Sequence, residues 1–284
     1  INAEAGNWAS AQHAYERLVT LQPAIAEFHH TLGTILEKQS KTSAAIAAYE
    51  MAIQMNPDFA DAYVNRAQIK NSLGHLNAAK SDLLAAIKIQ PDLAKAHHHL
   101  ALVLARKGDL APAIAACQKA ADLNPENPDI FNNLGNLFKS QQCFDKAEIA
   151  YKNALQCNPL SIDAYINLAQ LSGGQGLFDT AASWFAEAIK VKPDRAETYV
   201  DLGNILYAQG KFDEAGAAYK SALNVNPEHA LAFNNLGNSF AAKDHVDRAI
   251  VCYQRALKIQ PDYAEANSNL GNALLQRGDL DDAI

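Results

Sequence analysis

The chain has 284 residues, 49% of them hydrophobic, and carries a formal net charge of −7. That balance argues against a nucleic-acid binder, which shows a basic stripe, and no apolar run approaches the roughly 18 residues that suggest a membrane span. The four cysteines, Cys117, Cys143, Cys157 and Cys252, have neither paired nor metal-like spacing, which reads as reduced thiols and, with no signal peptide, as a cytoplasmic chain.

Prolines 23, 57, 91, 125, 159, 193, 227 and 261 recur every 34 residues, and a fixed period of that length means stacked repeats. Residues 1–25 read as the tail of one repeat, with Gly6-Asn7-Trp8 as its turn and Ala11, Tyr15 and Leu18 packing. Full repeats follow at 26–59, 60–93, 94–127, 128–161, 162–195, 196–229 and 230–263, and 264–284 is a partial one. Both ends cut through repeats, so the chain is expected to be part of a longer protein.

The unit Ala196–His229 sets the pattern. Tyr199, Leu202, Gly203 and Leu206 fall at helical spacing between Ala196 and Gln209, and Gly210 breaks the run. A second helix is predicted from Asp213 to Val225, with Ala215, Tyr219 and Ala222 on one face, and Asn226-Pro227 stops it. Counted from Ala26, the eighth position is always Gly or Ala and the twentieth always Ala, Ala283 included. Helices approach closely only where no bulky side chain sits at the crossing. The expected fold is all-α: a right-handed superhelical solenoid of antiparallel helix pairs.

Several stretches depart from the pattern. In 60–93, Arg66 and Lys70 stand at large-apolar positions, and their stems are expected to pack while the charges reach solvent. In 94–127, Cys117 replaces an aromatic, and His97, His98 and His99 point about 100° apart on a helix, so they do not share one metal ion. Ser172-Gly173-Gly174-Gln175-Gly176 follows no strand, so it reads as a frayed helix end, not a phosphate loop. Asp194-x-x-Glu197 and Asp262-x-x-Glu265 look like helix caps. No nucleophile elbow, His-Glu-x-x-His or calcium loop occurs. No catalytic residue, cofactor or metal is expected.

The pattern of small, aromatic and proline positions resembles the tetratricopeptide repeat over essentially the whole chain. What remains for function is one face of the first helices. Positions four, seven, eight and eleven are expected to pack inward, and positions two, five, six, nine and thirteen to line a concave groove. Position six carries Asn65, Asn133, Asn167, Asn235 and Asn269, interrupted by Thr31, His99 and Asp201. Position nine carries Gln68, Asn136, Gln170, Asn204, Asn238 and Asn272, and position five adds Asn132 and Asn234. Asparagine is a mediocre helix former, while an amide donates and accepts at once, which suits the backbone of an extended peptide. With first helices about 10 Å apart and an extended chain rising about 3.3 Å per residue, one rung meets the ligand about every third residue.

The wording Asn-Asn-Leu-Gly-Asn is similar to the repeat arm of O-linked N-acetylglucosamine transferases. That resemblance implies an asparagine ladder holding protein substrates by their backbone, beside a glycosyltransferase region absent here. A carboxylate clamp of the co-chaperone kind is rejected, because Lys95 alone resembles a clamp residue. The partner is then an extended protein segment, neither nucleic acid nor membrane. The alternative is an assembly scaffold, including self-association through open solenoid ends.

Overall fold

The computed structural model describes residues 8–278, which form sixteen α-helices with no strand among them. Gly6 and Asn7 of the first turn, and Ala283, lie outside the described residues. The chain divides into two compact units, Ile1–Ala150 and Tyr151–Ile284. The first contains α1 (Trp8–Leu21), α2 (Ala26–Lys38), α3 (Thr42–Met55), α4 (Ala60–Ser72), α5 (Leu76–Ile89), α6 (Ala94–Arg106), α7 (Leu110–Leu123) and α8 (Pro128–Ser140). Helix α9 (Phe144–Cys157) contains the division point. The second unit continues with α10 (Ile162–Gly174), α11 (Phe178–Val191), α12 (Ala196–Ala208), α13 (Phe212–Val225), α14 (Ala230–Ala241), α15 (Val246–Ile259) and α16 (Ala264–Arg277). In the first unit, successive helices from α1 to α8 pack on one another, and α6 also touches α4 and α8. In the second, the same holds from α10 to α16, with α14 touching α12 and α16. This is an all-α helical-repeat solenoid.

The turn inside each repeat is built one way throughout. Its fifteenth position takes a left-handed backbone, at Gly74, Gly108, Gly176, Gly210 and Gly278, but also at Ser40, Gln142 and Asp244. In the turns from Ser40 to Asp244 the next residue's N–H then returns to the carbonyl five residues back, as from Lys211 to Leu206 and from His245 to Phe240, both at 2.9 Å. This closure satisfies carbonyls that the helix end leaves open. The glycine-rich stretch obeys the same rule, which corrects the frayed-end expectation. Helix α10 runs through Gly174, Gly176 has φ 76°, and the Leu177 N–H bonds the Ser172 carbonyl at 2.9 Å. Gly173 is small because a Cβ there would lie 2.8 Å from Ile205 Cδ1.

The alanines of position twenty are fully buried, from Ala11 at 1% exposure to Ala249 at 0%. Glycine at position eight has a specific cause. A Cβ on Gly33 would lie 2.6 Å from the Tyr49 ring, and one on Gly237 2.5 Å from the Tyr253 ring. Where the facing position holds Leu83, Cys117 or Phe185, position eight is Ala67, Ala101 or Ala169. The inward set is wider than expected. Position three (Ala62, Ala96, Ala164, Ala232) and position ten (Ile35, Ile69, Val103) are buried too, against neighbouring repeats.

Two expectations fail. Asp194 and Asp262 do not cap: α12 and α16 begin after Arg195 and Tyr263, neither with a side-chain cap bond. The charges of 60–93 do not reach solvent. Arg66 binds both oxygens of the buried Asp82 carboxylate (Nε 2.9 Å, Nη2 2.6 Å), and Lys70 Nζ joins at 2.9 Å. Asp82 occupies a position held by Ala48 and Ala116 in neighbouring repeats, so three changes at core positions compensate one another.

Candidate functional site

The amide rows form inter-repeat hydrogen-bond chains. In the first unit, α2 and α4 are joined where the Asn65 amide donates to His30 Nε2 at 2.9 Å. Lys95 fixes which way Asn65 faces, because its ammonium takes Oδ1 at 2.7 Å. The Nδ2 group is therefore the one turned to His30, and His30 must offer a lone pair. Gln68 and His99 meet at 2.6 Å, and Asn133 and His98 at 2.8 Å. Histidine thus takes amide places in the same network, and the His98 and His99 rings stack at 5.6 Å. Burial lowers the pKa of His30 and of His98. His99 is pushed down to about 4, by burial first and then by its neighbours His98 and Lys95. His97 packs away from this face, with Nε2 2.8 Å from the Pro91 carbonyl.

The second unit repeats the arrangement with asparagines. Asn204 Oδ1 accepts from the Tyr219 hydroxyl and from Asn235 Nδ2, both at 2.9 Å. One repeat on, Asn238 Oδ1 accepts from the Tyr253 hydroxyl at 2.9 Å and from Asn269 Nδ2 at 3.1 Å. Asn269 Nδ2 also reaches Asn234 Oδ1 at 3.0 Å, and Asn234 donates to Glu265 at 3.1 Å. Burial, before other influences, lifts the Tyr253 hydroxyl to about 12, so it stays a neutral donor. These bonds supply the packing reason for asparagine at position nine that helix propensity does not.

Exposure divides the expected site residues. Asn136, Gln170, Asn204 and Asn272 are exposed; Gln68, Asn133, Asn167, Asn235, Asn238 and Asn269 are half-buried. Asn65 and Asn132, each 8% exposed, and Asn234, at 0%, are buried. Position five is therefore an inter-repeat packing position, as Val64 at 0% also shows, and does not line an open surface. Asn238, Asn269 and Asn272 come together with Tyr207, Tyr253 and Gln276 around a concavity of about 220 Å³. There the amide nitrogen of Asn238 and both polar atoms of Asn272 have no hydrogen-bond partner among the described residues. Tyr207 stands at position twelve, which was not among the expected groove positions; Gln276 stands at position thirteen, which was, although it was not among the residues singled out. Among the described residues no group of three or more His, Cys, Asp or Glu side chains could hold a metal ion. None of the four cysteines forms a disulfide, and burial raises Cys117 to about 12. No described helix is long and apolar enough to cross a membrane.

Three tetratricopeptide models match the sequence. A TPR repeat model covers 103–142, 203–244 and 242–278; a second tetratricopeptide repeat model covers 3–58 and 30–72; a third covers 60–93 and 162–195. No curated protein matches the chain significantly in sequence. Among solved structures, YrrB, described as a TPR protein with an unusual peptide-binding site, is similar at TM-score 0.54 and 23% identity, covering 70% of this chain and 98% of its own. PilF of Pseudomonas aeruginosa is similar at TM-score 0.60 and 20% identity, covering 73% and 94%. The Cut9–Hcn1 tetramer of APC/C gives TM-score 0.61 and 16% identity, covering 94% of this chain and 52% of the matched one. At these identities the likeness is one of fold.

Proposed function

We propose, for a chain that belongs to the tetratricopeptide repeat family, that the first-helix face binds an extended segment of a partner protein through neutral amides. The observation that carries this reading is the concavity at Asn238, Asn269 and Asn272, where neighbours position Asn238 and Asn269 while the Asn238 nitrogen and the Asn272 amide stay unengaged among the described residues. Tyr253 and Asn269 hold the Asn238 oxygen, so its NH2 group is oriented before any ligand arrives. A ligand carbonyl then meets a donor whose conformational freedom is already lost, which lowers the cost of binding. The peptide-binding description attached to YrrB agrees with this class of partner. The similarity of Asn-Asn-Leu-Gly-Asn to a glycosyltransferase arm extends the reading: the segment is a substrate being presented to an enzyme region.

The pairing of amides with tyrosines favours a second reading, in which the rows are inter-repeat glue and the chain is an assembly scaffold that binds elsewhere. The two are separated with residues whose side chains hold nothing in place. Gln170 and Asn272 are exposed, with no side-chain bond among the described residues. In fluorescence anisotropy with a pool of unstructured peptides, Gln170→Ala/Asn272→Ala is expected to bind more weakly by about 1–3 kcal/mol, the sum of two lost hydrogen bonds. Its thermal stability is expected to stay unchanged. Wild-type affinity in the double variant supports the scaffold.

A further inference from the structure

A second concavity, of about 130 Å³, lies in the second unit among α13, α14 and α15, and its lining residue Ser239 directly follows Asn238 of the amide rows. It exists because two side chains are small. Position twenty-one holds Ile46, Ile114 and Ile250 in three repeats and Lys80, Glu148 and Ala182 in three others, but Gly216 here; position ten holds Ile35, Ile69, Val103, Leu137, Leu171 and Ile205, but Ser239 here and Ala273 in the next repeat. Glycine in mid-helix is unfavourable, and a Cβ on Gly216 would meet only ordinary contacts, 3.5 Å from Leu236 Cδ1 and 4.0 Å from Ser239 Cβ. Helix packing therefore does not require the glycine.

The rim is basic in an acidic chain. Lys220, Lys243, His245 and Arg248 line it against one carboxylate, Asp213, which is already bonded to Lys243. Lys220 Nζ and Arg248 Cζ lie over the Phe240 ring, 5.6 and 5.7 Å from its centre, and the His245 ring meets its edge at 6.5 Å. Phe240 thus gathers cations that would otherwise repel one another. Asp213 is held below the usual carboxylate range by Lys243 first, with His245 and Lys220 adding to the effect. The cavity also opens beside the first turn of α15, the positive end of that helix.

We propose that this cavity is a binding site for a phosphate monoester, with Arg248 and Lys220 as its principal ligands and Gly216 as the residue that makes room. A doubly charged oxyanion suits two cations that have no ion-pair partner among the described residues, and the planar Arg248 guanidinium suits phosphate oxygens.

The test is a titration of the full chain with inorganic phosphate at constant ionic strength, followed by NMR at the Gly216, Ser239 and Arg248 amides. Saturable shifts confined to this region are expected. Lys220→Ala/Arg248→Ala, which alters exposed side chains, is expected to weaken binding at least tenfold. Gly216→Ile, which fills the cavity with the residue of other repeats and keeps every charge, is expected to do the same with melting temperature unchanged or raised. A phosphoserine peptide binding tighter than inorganic phosphate identifies a phosphorylated partner segment as the source; equal or weaker binding identifies a small phosphorylated molecule. Non-saturating drift matched by added chloride, or saturable binding that both variants retain, overturns the proposal.

Discussion

Gly237, Asn238 and Tyr253 form one coupled set. The ring needs the missing Cβ, and the hydroxyl needs the amide oxygen. Gly237→Ala is expected to cost about 1–3 kcal/mol through overpacking, measured by urea denaturation. Combined with Tyr253→Leu, the pairing that Ala67 and Leu83 already show, the double variant should be less destabilised than the sum of the single ones. Additive losses would mean that ring and glycine are independent. This coupling was legible in the sequence and went unread. Tyrosine at position twenty-four occurs with Thr34, Asn136, Asn204 or Asn238 at position nine, whereas Leu83, Cys117 and Phe185 occur with Gln68, Leu102 and Gln170. The rows were read down the array, one position at a time, while the bond joins two positions of one repeat. The burial of Asn132 and Asn234 was harder to foresee, because position five also holds His30 and Ser268 and so shows no consistent polarity.

At the scale of elements, helix pairs and turns were legible to within a residue or two, since the 34-residue period repeats the same pattern eight times over. The Arg66–Asp82–Lys70 cluster was not, because each residue alone looks like a surface charge; only the fold shows all three at core positions. Their side chains are 14%, 8% and 18% exposed. Asp82→Ala is expected to destabilise by about 3–5 kcal/mol, leaving two cations without their carboxylate inside the protein. Replacing all three together by the residues of 94–127, as Arg66→Leu/Lys70→Leu/Asp82→Ala, should be neutral or stabilising. Thermal denaturation of both variants checks this, and a triple variant as unstable as the single one would contradict it.

For the whole molecule, stability is a sum over repeats and their interfaces, so the His–amide bonds of the first unit contribute to all of it. His30, His98 and His99 are held neutral by burial, with Asp61, Glu27 and Glu37 opposing this at His30 and Asp129 at His98. Their folded pKa values lie below the unfolded value, so the unfolded chain binds more protons as pH falls. Stability is therefore full above the ordinary histidine value of 6.5 and falls toward pH 4, the value of His99. The loss for His99 is on the order of 2 kcal/mol, allowing for its partial exposure. His99→Gln should flatten this slope in a pH series of melting temperatures, and an unchanged slope would remove His99 from the account. The central claim concerns what the amide face holds. If neutral amides grip a backbone, a peptide selected from the unstructured pool must lose affinity when its own backbone amides are methylated, with every side chain kept. Fluorescence anisotropy of the methylated and unmodified peptides at two salt concentrations is the most direct measurement. A loss of at least tenfold on methylation, with little change between salts, is the predicted result; equal affinity for both peptides would contradict it.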